Sequence, residues 1–284
     1  MPYFGSISLN KLDSGTIDVF LQNKLFEGLA PNTVDKYKKV LHVILGQAVA
    51  EVIINRNPVD YCMTIPLKEN DRTIIENEDL SLILNEAKSI SSNAGKHGRC
   101  YGQSFFCYPI LMTASHTGMR IGEIFALRWE NIDLDKRIIY VKENVTEAKN
   151  EQGKIGLICD TTKTTYSKRV IDISDTLCEL LKGIRAFASP EKGIVFATKT
   201  QNYIAPSNFG RVWRKLLEDL GMKGKYKIHE FRHTHATLLI AARINPVSVS
   251  KRLGHASPQT TLNVYAHAIT ADGRRMADLF NEVK

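Results

Sequence analysis

The chain of 284 residues has no long apolar run. None of its stretches approaches the roughly 18 consecutive apolar residues that a membrane-spanning helix needs, and the N-terminus shows no basic-then-apolar export signal, so a cytoplasmic protein is expected. Cysteine is scarce and unpaired in pattern. Five cysteines, Cys62, Cys100, Cys107, Cys159 and Cys178, are odd in number and form no C-x-x-C pair, which argues against a disulfide framework and a zinc knuckle. Internal repeats and low-complexity tracts are also missing. With 43% hydrophobic residues, what remains is a chain able to bury a real core, as two domains or one large one.

Acidic charge is in deficit, and the deficit is localised. The net charge of +8 only weakly suggests a polyanionic partner by itself. Residues 1–66 carry six Lys/Arg against six Asp/Glu, whereas Lys199 to Leu253 carries eleven against three, an excess equal to the whole net charge. The basic stretch overlaps the richest chemistry in the chain, as an enzyme acting on a phosphodiester requires.

That chemistry lies between Lys227 and His267. His229 and Arg232 are three apart and share a helix face; Leu238, Leu239 and Ile240 continue the helix, and Asn245-Pro246 breaks it. Val247, Val249 and Leu253 predict a second helix closed by Gly254 at its C-terminal turn, which puts His255 just past a helix end. Ser257-Pro258 reads as an N-cap and first helical residue opening a short helix toward Tyr265.

Upstream, Asp13 to Leu25 and Pro31 to Val52 read as helices, the second with Val34, Tyr37, Val40, Leu41, Ile44, Leu45 and Val49 toward a core. Thr33, Lys36, Lys38 and Lys39 gather near its start, where DNA contact and a solvated capped face are equally good readings. Thr64 to Thr73 reads as a linker, Glu78 to Ser89 as an amphipathic helix, and Ile90 to Gly102 as a loop. Phe105 to Ser115, apolar on nearly all sides, predicts a buried helix ending at Gly118, just before Arg120. Alternation over residues 137–141, 155–159 and 170–173 predicts one small antiparallel sheet with Lys163 between its last two strands. Asp175 to Ala188 and Pro206 to Leu220 read as helices with a short strand at 194–196 between them, the second helix bearing Arg211, Arg214 and Lys215.

The order H-x-x-R, L-G-H, Tyr over forty residues, preceded by T-G-M-R-I-G-E at Thr117 to Glu123, resembles the tyrosine recombinases, the phage-integrase family, of the type found in phages and conjugative elements. The resemblance covers nearly the whole chain. It implies a mainly α fold with a small antiparallel β-sheet: a helical core-type DNA-binding domain over 1–66 and a mixed α/β catalytic domain over 67–284. Because P-Y-F-G at Pro2 to Gly5 is similar to a motif ending the first helix of the family's core-binding domain, that domain is expected to lack its first helix. The resemblance assigns Arg120, Lys163, His229, Arg232, His255 and Tyr265 as catalytic, with Glu123 orienting Arg120. It implies no cofactor and no metal, strand exchange through a 3′-phosphotyrosine, and a homotetramer on paired double-stranded DNA attachment sites, built by exchange of a C-terminal helix over 272–283. Accessory DNA-bending or excision factors and association with the nucleoid complete the expectation. Thr33, Lys36, Lys39, Arg211, Arg214 and Lys215 are its DNA contacts.

Two rivals come from other classes. His229-Glu230-Phe231-Arg232-His233 matches H-E-x-x-H of zinc peptidases, but no glutamate follows until Glu282, no G-x-x-H supplies a third ligand, and Arg232 sets a cation beside the metal. A DNA-binding regulator without chemistry fits the basic stretch but leaves Arg120, Lys163, Arg232 and Tyr265 unexplained. His116, His233, His235 and His267 are expected to be packed or supporting groups.

Overall fold

A computed structural model describes residues 3–67, 73–96, 102–149, 153, 155–161, 168–187, 193–255, 257, 259 and 261–262. Lys163, Tyr265, His267 and the helix expected over 272–283 lie outside these. The chain divides into two compact units, Met1–Asp71 and Arg72–Lys284.

The first unit is helical. Helix α1, Ser14–Phe26, starts where the Asp13 carboxylate accepts from the backbone N–H of Thr16 at 2.8 Å, and α2, Pro31–Ala50, starts with Pro31 in the first turn, where its missing N–H costs nothing. Ile17 and Leu21 of α1 meet Val34, Leu45 and Ala48 of α2, and Ile54, Val59 and Ile65 close the core. The apolar stripe of α2 is narrower than its sequence suggests. Leu41 and Val49 pack beside the core, but Tyr37, Val40 and Ile44 are exposed, because at 3.6 residues per turn they fall on a flank next to the Val34–Leu45 line. Phe4 packs on Phe20 with ring centroids 4.9 Å apart.

The second unit is built around α5, Cys107–Thr117, which is apolar on nearly all sides and therefore largely buried, with Ile110, Leu111 and Ala114 at its centre. Against it lie α3, Asn77–Lys96, and the short α4, Gly102–Phe105. The loop expected from Ile90 is instead the last turns of α3: Ala94 is buried, and the Ser91 hydroxyl accepts from the backbone N–H of Tyr108 at 2.9 Å. After α6, Ile121–Phe125, the described residues form five strands: β1 Ile132–Asp133, β2 Ile138–Val141, β3 Glu143–Lys149, β4 Ile155–Thr161 and β5 Arg169–Asp172.

They make two antiparallel sheets, where the sequence suggests one. One sheet has the order β1-β2-β5, with Ile139 opposite both Ile132 and Ile171, all three buried. The other pairs β3 with β4, Val145 opposite Cys159. Residues 143–149 escape notice because E-N-V-T-E-A-K has a single apolar β-former, Val145, to bury. The segment 194–196 is held by an isolated bridge between Arg128 and Ile194, not by a strand. Helix α7, Asp175–Phe187, buries Leu177 and Leu181, and α8, Pro206–Asp219, buries Phe209, Trp213, Leu216 and Leu217. Helices α9, Glu230–Ala241, and α10, Pro246–Leu253, follow, joined by a turn whose Asn245 side chain accepts from the backbone N–H of Val247 at 2.8 Å. No described helix is long and apolar enough to cross a membrane.

Candidate active site

Arg120 stands at the N-terminus of α6 because α5 ends abruptly before it. Gly118 takes the left-handed conformation at φ 65°, its N–H bonded to Ala114 at 2.9 Å, and a Cβ there would lie 2.7 Å from the His235 ring and 2.8 Å from Leu253. Glycine meets both demands, the backbone one and the steric one. The Gly118 carbonyl is also the acceptor for Nη1 of Arg232 at 3.0 Å. The T-G-M-R turn and the H-x-x-R helix are thus tied directly together, and Arg232, three residues from His229 at the start of α9, is almost fully buried.

Glu123 anchors the opposite side. Its carboxylate, 2% exposed, accepts from Nη1 of Arg120 at 3.0 Å and from the Arg120 backbone N–H at 2.8 Å. It also receives both terminal nitrogens of Arg169, Nη1 at 3.0 Å and Nη2 at 2.8 Å. Burial by itself would raise this carboxyl, but the Arg169 hydrogen bonds and charge, followed by those of Arg120, hold it below the usual carboxylate range. The Arg120 side chain is 40% exposed and the Arg169 side chain 5%. Nothing in the sequence pattern marks Arg169: a charged residue opening an alternating strand ordinarily points to solvent, and its partner is 46 residues away.

His255 follows Gly254, which ends α10 in the left-handed conformation at φ 71°, with the His255 N–H returning to the Ser250 carbonyl at 3.1 Å. Its Nδ1 lies 2.7 Å from the hydroxyl of Thr261, a fully buried side chain. Burial first, then the charges of Arg232 and Arg120, push His255 down to about 4. His229 is lowered by the same causes in the same order, burial and then Arg232 and Arg120. Both imidazoles are therefore neutral near pH 7, and each feels both arginines. His229 stacks edge-on to His233 at 4.9 Å. Arg120, His229, Arg232 and His255 thus form one group of two cations and two neutral imidazoles.

Behind this group sits a supporting layer. His235 makes a 2.8 Å hydrogen bond through Nδ1 to the Ser115 carbonyl, and its Nε2 accepts from Nε of Arg252 at 3.1 Å, a pattern that fits only the neutral ring with its proton on Nδ1. Burial pushes it to about 4. Arg252 also donates to the carbonyls of His116 and Asp172, at 3.0 and 3.1 Å, and His116 bonds the Ser174 hydroxyl at 2.7 Å. His116 and His235 are packed groups, as expected.

The basic residues named as DNA contacts occupy two helices. Thr33 is half-buried and Lys36 exposed near the start of α2, while Lys39 pairs with Asp35 at 2.7 Å. Lys38 donates to the carbonyls of Cys62 and Met63, at 3.1 and 2.8 Å, and so fastens its own unit. On α8, Arg211, Arg214 and Lys215 lie on the exposed face opposite Phe209 and Trp213; Arg211 bonds Asn208, Arg214 the Gly210 carbonyl, and Lys215 pairs with Asp219 at 2.6 Å. Glu230, the glutamate of H-E-x-x-H, accepts from the backbone N–H of Lys227 and so fastens the turn that leads into α9. Among the described residues no three His, Cys, Asp or Glu side chains converge as metal ligands.

Residues 74–271 match the family model described as the phage integrase family. The chain is 28% identical over 92% of its length to the tyrosine recombinase XerC-like protein of Caldanaerobacter subterraneus subsp. tengcongensis, covering 69% of that protein. It is 27% identical over 99% of its length to the ICEBs1 integrase of Bacillus subtilis, covering 74%. Among solved structures it resembles the Tn1549 transposon integrase in complex with a circular intermediate DNA, with a TM-score of 0.80 at 18% identity over 97% of this chain and 88% of that one.

Proposed function

From its membership of the phage integrase family, we propose that the chain is a site-specific recombinase that cuts and rejoins double-stranded DNA at attachment sites to integrate or excise a mobile element. The observation that carries the reading is the convergence of Arg120, Arg232, His229 and His255. A phosphodiester gathers negative charge on its non-bridging oxygens as phosphorus is attacked, and fixed donors in a partly dry site stabilise that charge best. Arg120 and Arg232 bond those oxygens with planar forks that stay charged at any physiological pH, and His255 adds a hydrogen bond. His229, neutral near pH 7, accepts the proton of the Tyr265 hydroxyl. The Tyr265 oxygen then bonds to phosphorus, the bond from phosphorus to the 5′-oxygen breaks, and Lys163 protonates the leaving oxygen. A 5′-hydroxyl from a second strand reverses the step and joins new ends, with the bond energy kept in the 3′-phosphotyrosine.

Four such sites exchange both strands of two duplexes, so the working form is a homotetramer on paired sites, coupled through the apolar stripe Met276, Leu279, Phe280 and Val283 of the C-terminal segment. Residues 1–66 grip the core site through Thr33, Lys36 and Lys39, and Arg211, Arg214 and Lys215 add phosphate contacts. DNA-bending or excision factors bias the direction, and the protein works in the cytoplasm on nucleoid DNA. The test is to incubate the chain with a nicked attachment-site duplex in EDTA. A detergent-stable protein–DNA adduct is expected. Site-specific binding without an adduct would mark a regulator, and stoichiometric zinc with peptide cleavage in a parallel sample free of EDTA would mark a peptidase.

A further inference from the structure

Arg169 joins two parts of the active site that lie far apart in the sequence. Its terminal nitrogens take both oxygens of Glu123, at 3.0 and 2.8 Å, and its Nε donates to the Arg252 carbonyl at 2.7 Å, three residues before His255. It also packs on Gly254, where an added Cβ would meet Nη1 of Arg169 at 3.0 Å. One carboxylate therefore faces two guanidiniums, and it can neutralise only one. Arg169 is buried and bidentate, whereas the side chain of Arg120 reaches Glu123 through Nη1 and keeps 40% of its surface open. Charge-assisted bonds are strongest where they are bidentate and dry, so the negative charge of Glu123 is spent on Arg169.

We propose that Arg169 is a positioning residue for the phosphate clamp: it neutralises Glu123 so that Arg120 meets the scissile phosphate as a full cation, and it holds the turn that carries His255. The proposal rests on the recombinase reading above. Without Arg169, Glu123 draws Arg120 into its own ion pair, and the clamp loses charge where the transition state gains it.

The test compares cleavage of two nicked attachment-site duplexes, one with an ordinary phosphate and one with a methylphosphonate at the scissile position. The methylphosphonate replaces a charged oxygen by a methyl group, so its transition state carries one negative charge fewer. Arg169→Met is expected to slow adduct formation on the phosphate by on the order of 10²-fold, the usual cost of one lost electrostatic contact, and to have a much smaller effect on the methylphosphonate. Equal losses on the two substrates would overturn the proposal and leave Arg169 a packing residue. Arg169→Met/Glu123→Gln removes both buried charges and frees Arg120 from any carboxylate; it should recover phosphate cleavage relative to Arg169→Met. If the single variant does not fold, the double variant decides. A wild-type ratio of phosphate to methylphosphonate rates is expected of it, and a loss confined to the phosphate would overturn the proposal. If the wild-type chain forms no adduct on either substrate, the recombinase reading fails instead.

Discussion

Replacing Gly118 by alanine tests the junction on which the site is built. The change combines two effects that the structure separates. A residue with a side chain at φ 65° bears a left-handed penalty of about 1–2 kcal/mol. The new Cβ would also lie 2.7 Å from His235 and 2.8 Å from Leu253, distances that force a shift in a packed region, for a further cost of about 1–3 kcal/mol. Gly221 supplies the control. It lies in the same unit at φ 70° with nothing within 4 Å of its would-be Cβ, so Gly221→Ala incurs only the conformational part. Thermal unfolding of the two variants should differ by the packing part, which at about 2–4 °C per kcal/mol for a unit of this size places Gly118→Ala roughly 2–12 °C below Gly221→Ala. Adduct formation should fall in Gly118→Ala as well, since the carbonyl that moves is the acceptor for Arg232. Truncating Leu253 to alanine should relieve part of the damage, so that Leu253→Ala costs less beside Gly118→Ala than alone, by about 0.5–3 kcal/mol of coupling. If Gly118→Ala and Gly221→Ala unfold at the same temperature, the steric argument is wrong.

Two further outcomes follow from the imidazoles. Thr261→Val removes the hydroxyl bonded to Nδ1 of His255 while keeping its shape; the loss of about 1–3 kcal/mol corresponds to roughly 5–150-fold in single-turnover adduct formation, with Thr261→Ser close to wild type. A Thr261→Val enzyme as fast as wild type would mean that the contact does not orient His255. His235 and His255 are held near about 4, below the unfolded value of about 6.5. The unfolded chain then binds more protons, so stability should be complete above pH 6.5 and decline as pH falls toward 4. Urea midpoints measured from pH 7 to 5 check the sign, and a midpoint that rises on acidification would contradict the burial of these rings as neutral groups.

The parts of the site that were legible in the sequence are those written in local patterns. Gly118 before Arg120, His229 three residues from Arg232, and Gly254 before His255 are each a helix boundary with a polar group beside it, and such boundaries leave spacing signatures. Arg169 and Thr261 carry no such signature. Their meaning comes from partners brought in by tertiary packing, Glu123 for one and the ring of His255 for the other. The sheet shows the same limit, since β4 has an alternating pattern and its partner β3 has only Val145 to announce it. On α2 the pattern promises more than the fold uses. The sequence pattern points Tyr37, Val40 and Ile44 toward the core with Val34 and Leu45, although one helix stripe is enough to cover α1 and leaves those three exposed.

The central claim is that Tyr265 becomes covalently joined to DNA. It is tested most directly by forming the adduct on a nicked attachment-site duplex, digesting it with trypsin and nuclease, and identifying the modified peptide by mass spectrometry. The account predicts a nucleotide phosphate on Tyr265, and no adduct from Tyr265→Phe although that variant still binds the duplex. A modified peptide lacking Tyr265, or an undiminished adduct from Tyr265→Phe, would contradict it.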